Sequence, residues 1–179
     1  SGAPVGTSTA RRTFMFTDIV RSTNLAEALG DAAWEQVLRW HDETLRGLIA
    51  AGGGEVVNST GDGFFAAFES AQAAVACAGS IQRALRDHRL RAGFAPAVRI
   101  GLHTAEANRR GGEGDDRQAD YSGVGVHVAA RVGALADGGE ILATAETLAE
   151  AGSVTASPSR QAQVKGVSAA LEVASITWS

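Results

Sequence analysis

The chain has 179 residues, of which 45% are hydrophobic and 20% are charged, and its formal net charge is −4. This length and composition fit one domain with an ordinary apolar core, and the acidic balance argues against a nucleic-acid-binding protein. The single cysteine, Cys77, excludes an intrachain disulfide, which is compatible with a reducing compartment. No apolar run is long enough to span a membrane, and no signal peptide is visible in this sequence. We therefore expect a cytoplasmic protein, or the cytoplasmic portion of a longer one.

Helices are predicted where apolar residues recur every 3.6 positions, and strands where short apolar runs are bounded by turn residues. Residues 1–10 are mostly small and polar, and we assign them to a linker or cloning remnant. In chain order, the predicted elements are a strand at 11–20, helices at 31–51 and 71–89 separated by a hairpin at 55–68, a strand at 97–104, a loop or projecting arm at 105–119, a helix at 122–136, a strand at 141–142, a helix at 145–151 and strands around a turn at 165–166. This order indicates an α+β fold with helices on a mostly antiparallel sheet.

The helical periodicity also predicts which side chains face the core. His41 belongs to the apolar stripe of the helix at 31–51, and we interpret it as a core or flanking residue. The inward residues of the next helix are predicted to be Ala71, Ala74, Ala78, Ile81 and Leu85. Those of the helix at 122–136 are predicted to be Val124, Val128, Val132 and Leu135.

Two carboxylates are predicted at the ends of strands. Asp18 ends the first apolar run, and Asp62 lies in the hairpin turn Thr-Gly-Asp-Gly. If these strands are neighbours, both carboxylates lie at one end of the sheet, where they suit Mg²⁺ or Mn²⁺ carrying a polyphosphate. Either aspartate alone is more commonly a turn or cap residue, so the metal-site hypothesis depends on the pair.

The segments around these aspartates resemble a known family. Residues 16–23 (FTDIVRST) and 61–64 (GDGF) are similar to the two metal-binding motifs of class III nucleotide cyclases, in the family's order and at similar separation. The resemblance continues through 99–104 (RIGLHT) and 120–131 (DYSGVGVHVAAR) almost to the C-terminus. It implies the cyclase fold, with a ferredoxin-like core, over 11–179. It also implies a phosphorus–oxygen lyase that converts ATP, or alternatively GTP, to a 3′,5′-cyclic nucleotide and pyrophosphate for second-messenger signalling.

The resemblance assigns residues to the metal and triphosphate sites. It implies that Asp18, Asp62 and the carbonyl group of Ile19 hold two divalent cations, Mg²⁺ or Mn²⁺. It places the triphosphate at the turn that contains Ser22 and Thr23. These two residues can also cap a helix whose N-terminal N–H groups favour anions.

A second group of residues resembles the part of the family's site that contacts the base and the reacting phosphate. Arg131 matches the arginine that neutralises the α-phosphate, Lys165 a lysine that binds the terminal phosphates, and Asp120 an adenine-recognising aspartate. In the family, the metal aspartates come from one subunit and this second group from the other. A chain with both groups therefore implies a head-to-tail homodimer with composite sites. A fused or separate regulatory domain is a further expected partner.

Three positions depart from the family's pattern. Asn58 stands where adenine-specific members have lysine, and its amide can pair with either purine but brings no charge. His127 stands where an asparagine orients the ribose, and histidine can still donate one hydrogen bond. Arg21 replaces an expected glycine, and we favour a solvated charge over an extra phosphate contact. The changes at Asn58 and His127 put base selectivity and rate in question.

Two other functions remain open. The substitutions at Asn58 and His127 are also compatible with a degenerate cyclase-like module that binds nucleotide, or only dimerises, with little turnover. Another two-metal phosphoryl-transfer enzyme, such as a diguanylate cyclase, is less well supported because its Gly-Gly-Glu-Glu-Phe-type signature is missing.

Overall fold

A computed structural model describes residues 7–112 and 119–179 of the chain. Over these ranges, five helices pack on one eight-stranded sheet. The strands are β1 (Thr7–Ile19), β2 (Glu55–Ser59), β3 (Gly63–Phe68), β4 (Val98–Arg110), β5 (Asp120–Ser122), β6 (Ile141–Thr144), β7 (Arg160–Ala162) and β8 (Leu171–Ser175). The helices are α1 (Ser22–Leu29), α2 (Asp31–Ala51), α3 (Ala71–Ala92), α4 (Val124–Leu135) and α5 (Ala145–Ala151). In this part of the chain, no helix has both the length and the apolar character needed to cross a membrane.

The sheet has the strand order β2-β3-β1-β4-β6-β8-β7, and β5 pairs with β4 beside this path. Every pairing is antiparallel except that between β4 and β6. The order β2-β3-β1-β4, with helices in the crossovers, is the ferredoxin-like arrangement. The predicted α+β class with a mostly antiparallel sheet is therefore confirmed.

The two faces of the sheet have separate cores. Met15 belongs to the larger core, together with Ile49 of α2 and Ile81 of α3. Its neighbour Phe14 points to the opposite face, where it packs with Ala129 of α4. Successive strand residues face opposite sides of a sheet, so the uninterrupted apolar run of β1 follows from burial on both faces. All five residues predicted to face inward on α3 are buried.

Helix α4 lies very close to β4 because glycines meet at their contact. A Cβ atom added to Gly101 would lie 2.2 Å from the backbone nitrogen of Gly133, and one added to Gly125 would lie 2.5 Å from the Cβ atom of Ala105. Gly101 and Gly125 permit this approach because they have no Cβ atom. The close contact fixes the depth of α4 against the sheet.

The inward face predicted for α4 was only half correct. Val128 and Val132 are buried, whereas Val124 is 74% exposed and Leu135 is 43% exposed. The buried residues of α4 are Val128 and Val132 together with the small residues Gly125, Ala129 and Gly133, so the buried face is rotated from the stripe of valines towards the small residues. Side-chain hydrophobicity therefore gave the wrong centre for this face.

Two predicted boundaries differ from the structure. Strand β1 begins at Thr7, so residues 7–10 pair with β4 instead of belonging to a linker. Strand β4 continues to Arg110, so residues 105–110 of the predicted loop form a strand. The sequence of this extension is polar and lacks the apolar run by which strands were recognised. Residues 113–118 of the predicted loop lie outside the described ranges.

We expect Gly101→Ala to destabilise the fold by about 1–3 kcal/mol, because the added methyl group would force α4 away from β4. Gly47→Ala, in the C-terminal part of α2, is the matched control, since nothing lies within 4 Å of the added Cβ atom. That control should stabilise the chain by up to about 1 kcal/mol through helix propensity. Urea unfolding followed by circular dichroism measures both changes. A Gly101→Ala variant as stable as the wild type would contradict the close contact.

Candidate functional site

The turn between β2 and β3 is fixed against the end of β1 by two hydrogen bonds. The backbone N–H of Ile19 donates to the carbonyl oxygen of Asp62 at 3.0 Å. The backbone N–H of Phe64 donates to the Thr17 hydroxyl oxygen at 3.2 Å. Gly63 lies between them, where an added Cβ atom would lie 2.8 Å from the Thr17 carbonyl oxygen. A glycine is therefore needed for the turn to approach β1 this closely.

This contact brings the two predicted metal-binding aspartates to the same end of the sheet. Asp18 lies opposite Gly63 in the register of β1 and β3, and Asp62 directly precedes Gly63. The side chain of Asp62 accepts a hydrogen bond from the Thr60 hydroxyl group at 3.3 Å. The predicted proximity of the two strand ends is thus found in the structure.

The donor set at this end of the sheet fits Mg²⁺ or Mn²⁺. The two carboxylates and the carbonyl group of Ile19 offer only oxygen atoms, which these hard cations prefer. No group of three or more His, Cys, Asp or Glu side chains within 7–112 and 119–179 is arranged to hold a metal ion. Oxygens from phosphate and water would therefore have to complete the coordination, as is usual for Mg²⁺.

Sequence reasoning missed Arg99, which lies at this site. Its Nη2 donates to Oδ2 of Asp18 at 2.9 Å, and its Nη1 donates to the carbonyl oxygen of Ala134 at 3.1 Å. The register of β1 and β4 places Arg99 directly opposite Asp18. The residue was visible as the first position of the RIGLHT motif, but only the strand register shows which side chain it faces.

A cavity of about 360 Å³ opens beside Asp62 and is lined in part by Ser22 and Thr23. These two residues are the first positions of α1, and the prediction that they cap the helix was wrong. The N-cap is Arg21, whose φ of 57° and ψ of 41° lie in the left-handed region. That conformation is easiest for glycine, which explains why glycine is expected there.

In the second group of predicted residues, Arg131 lies on α4 with His127, Lys165 lies on the turn between β7 and β8, and Asp120 lies on β5. His127 and Arg131 lie on the side of α4 away from its buried residues. Nε2 of His127 donates to the carbonyl oxygen of Lys165 at 3.3 Å. A Cβ atom added to Gly166 would lie 3.0 Å from the same nitrogen. The structure therefore brings His127 and Lys165 together through the turn backbone.

Asn58 and Asp120 are exposed, and each side chain accepts a hydrogen bond from the next backbone amide. Oδ1 of Asn58 accepts from Ser59, and Oδ1 of Asp120 accepts from Tyr121, both at 2.9 Å. Asp120 also lines a polar cavity of about 390 Å³. No hydrogen bond joins Asn58 to Asp120 in the part of the chain that the structure describes.

Within one chain, the two groups of predicted residues remain separate. Neither Arg131 nor Lys165 forms a hydrogen bond or ion pair with Asp18 or Asp62 among the described residues. The metal-ligand candidates lie at the end of β1, whereas Arg131 lies on the outer side of α4.

The turn that carries Asp62 packs near a buried histidine. His41 of α2 is 0% exposed, and its ring centroid lies 6.1 Å from that of Phe64. Neither ring nitrogen has a hydrogen-bond partner within the described ranges. Burial lowers the pKa of His41 to about 4, against the opposing effect of the Asp42 and Asp62 charges. His41 is therefore a neutral core residue, as predicted.

Comparison with known proteins identifies the family. The sequence model of the adenylate and guanylate cyclase catalytic domain matches residues 7–175, and the chain belongs to this family. The adenylate cyclase of Neurospora crassa is 29% identical over 171 residues, which cover 83% of this chain and 7% of that protein. The chain thus spans less than a tenth of the length of this curated relative.

Solved cyclase structures share the fold. The guanylyl cyclase Cya2 has a TM-score of 0.84 and 26% identity, with 96% of this chain and 94% of that chain covered. The adenylyl cyclase CyaB from P. aeruginosa has a TM-score of 0.85 and 24% identity, with 98% and 97% covered. The class III cyclase fold expected from the sequence motifs is confirmed.

We expect protonation of His41 to destabilise the fold as the pH falls. Its folded pKa of about 4 lies below the ordinary value of 6.5, so the unfolded chain binds more protons between these two values. Neutral His41 contributes fully to the free energy of unfolding above pH 6.5, and this contribution is lost progressively towards pH 4. The pKa difference corresponds to roughly 3 kcal/mol.

Urea unfolding between pH 7.5 and pH 4.5 tests this expectation. His41→Phe should show a smaller loss of unfolding free energy over this range than the wild type. Ile49→Val, a buried substitution on the same helix, should lower stability without changing its pH dependence. Identical pH slopes for His41→Phe and the wild type would show that His41 does not carry this effect.

Proposed function

We propose that the chain is a metal-dependent nucleotide cyclase that converts ATP, or alternatively GTP, to a 3′,5′-cyclic nucleotide and pyrophosphate for second-messenger signalling. The observation that carries this proposal is the placement of Asp18 and Asp62 at one end of the sheet, beside a cavity lined by Ser22 and Thr23. Family membership supports the same activity.

The metal and the triphosphate would bind at the end of β1. Asp18, Asp62 and the Ile19 carbonyl group would hold two divalent cations, Mg²⁺ or Mn²⁺. When bound, such cations reduce the charge on phosphates and acidify a nearby hydroxyl group. The first N–H groups of a helix have no acceptor within the helix and favour phosphate. Ser22 and Thr23, at the start of α1, would therefore position the triphosphate.

The second group of residues would act on the reacting part of the nucleotide. The guanidinium of Arg131 suits the negative charge that develops around the α-phosphate. Lys165 would bind the terminal phosphates, and Asp120 would recognise the base. Phosphoryl transfer depends mainly on such positioning and charge stabilisation, which these side chains provide.

The contacts of His127 and Asn58 are the reason to keep a second candidate function. Nε2 of His127 already donates to the carbonyl oxygen of Lys165, so a ribose hydroxyl group would have to pair with the other ring nitrogen, Nδ1. Oδ1 of Asn58 is engaged by a backbone amide. These contacts are also compatible with a regulatory module that binds nucleotide with little turnover. Nucleotide binding without cyclic product would favour that alternative.

We also propose a head-to-tail homodimer with composite sites. His127 and Arg131 lie on the outer side of α4, away from the metal-ligand candidates of their own chain. The sheet face beside α4 leaves Phe16 and Phe65 only partly buried, and Val124 is 74% exposed. A second copy related by a two-fold axis would cover this apolar surface and complete both sites. A regulatory domain and a cytoplasmic location remain predictions.

We expect Asp62→Asn to reduce cyclic nucleotide formation at least about 100-fold, because one carboxylate cannot hold two cations against a triphosphate. The assay is incubation with ATP or GTP and Mn²⁺ or Mg²⁺, with the cyclic product measured by chromatography. Asp87→Asn, at an exposed ion pair on α3, is the matched control and should retain activity. Full activity of Asp62→Asn would disprove the proposed metal site.

We expect Asp62→Ala and Arg131→Ala to complement each other in mixed dimers. Each homodimer should be nearly inactive. A mixed dimer has one site with both defects and one with neither, so random exchange should restore about a quarter of the wild-type activity. Activity is measured after subunit exchange has been verified by differential labelling. If an active wild type shows no recovery on mixing, both residues act within one chain.

A further inference from the structure

The candidate metal ligand Asp18 already has a cationic partner. The guanidinium of Arg99 lies 2.9 Å from Oδ2 of Asp18, and the two residues face each other across β1 and β4. The side chains are 32% exposed for Arg99 and 42% exposed for Asp18. The guanidinium thus occupies part of the space around the carboxylate where a cation would bind.

The position of this guanidinium is fixed from the other side by α4. Nη1 of Arg99 donates to the carbonyl oxygen of Ala134 at 3.1 Å, in the last turn of the helix. The close contact between Gly101 and Gly133 holds this end of α4 against β4. The carbonyl group therefore directs the charge of Arg99 towards Asp18.

The same guanidinium is incompletely satisfied. Nε of Arg99 is buried and has no hydrogen-bond partner within 7–112 and 119–179. Buried polar atoms in folded proteins nearly always have a partner, and Nε is an exception. The interactions with Asp18 and Ala134 therefore hold the guanidinium in its present position. Removing the interaction with Asp18 would leave little to hold the guanidinium in place.

We propose that Arg99 is an internal counter-cation that competes with the metal ion for Asp18. This inference depends on the proposed metal site at Asp18 and Asp62. A positive charge within hydrogen-bonding distance of Asp18 repels an arriving divalent cation and occupies one carboxylate oxygen. Metal binding without nucleotide is therefore weak, and it strengthens when a triphosphate brings additional negative charge. Arg99 acts through Asp18 and is a positioning residue.

The test measures binding of Mn²⁺ alone, without nucleotide, from the electron paramagnetic resonance signal of the free ion. Arg99→Gln should lower the dissociation constant about three- to fivefold, the upper part of the range measured for removing one partner of a solvent-accessible ion pair. Arg99→Lys keeps the positive charge and should remain within about twofold of the wild type. The double variant Asp18→Asn/Arg99→Gln should lose the gain, because the competition takes place at Asp18.

Arg86→Gln is the matched control for net charge. Arg86 forms an exposed ion pair with Asp87 on α3, so this variant removes one positive charge without altering Asp18. It should leave Mn²⁺ binding unchanged. An equal gain in Arg86→Gln and Arg99→Gln would assign the effect to net charge and overturn the proposal.

The outcomes separate this inference from the proposed function. If Mn²⁺ binding by the wild type is abolished by Asp18→Asn and by Asp62→Asn, the metal site stands. Unchanged or weaker binding by folded Arg99→Gln then overturns the counter-cation role alone. If no chain shows binding that depends on both aspartates, the metal site and this inference fail together.

A second measurement uses the unmodified Arg99 in case Arg99→Gln does not fold. The side-chain Nε–H signal of Arg99, identified by its absence from the spectrum of Arg99→Lys, is followed by ¹⁵N NMR. Saturating Mg²⁺ should shift this signal in the wild type and leave it in place in Asp18→Asn. An unshifted signal in a metal-bound wild type would overturn the proposal.

Discussion

The candidate site depends on the register between β1 and β3. The bond from Ile19 to the carbonyl oxygen of Asp62 joins the turn to the end of β1 and places the two carboxylates together. A slip of one residue would exchange the two faces of the strand. Phe14 would then enter the larger core, and Asp18 would turn towards apolar side chains. Burial of β1 on both faces therefore secures the position of a polar site at its end.

Strand β4, the neighbour of β1, connects the site to α4. Glycines at the contact between β4 and α4 let the helix backbone approach the sheet, and the carbonyl group of Ala134 then lies within reach of Arg99. The helix that carries His127 and Arg131 is thus linked by one side chain to Asp18 of the same chain. In a composite dimer, these residues would belong to different sites. Arg99 would then join the two sites through a single protomer.

The sequence predicted those features that depend on local patterns. The hairpin of β2 and β3 followed from two apolar runs around Thr-Gly-Asp-Gly, and the helices at 31–51 and 145–151 have the predicted bounds. The role of Arg99 could not be predicted in this way, because its partner is set by strand register between residues 81 positions apart. The exposure of Val124 was missed for a related reason, since glycines on two different elements determine which side of α4 is buried.

The departures from the family pattern at Asn58 and His127 would change hydrogen bonds, whereas the charged residues of the candidate site would stabilise charge. A hydrogen bond to a base or ribose contributes on the order of 1–3 kcal/mol when its loss leaves a buried polar group unpaired. Charges that stabilise a transferring phosphoryl group have larger effects, with a single arginine contributing about 10³–10⁵ in kcat in the best-studied cases. Under the proposed function, Asp18, Asp62 and Arg131 would supply charge, whereas the two departures, Asn58 and His127, would supply only hydrogen bonds. This division predicts altered base selectivity and a reduced rate more readily than the complete loss of cyclase chemistry.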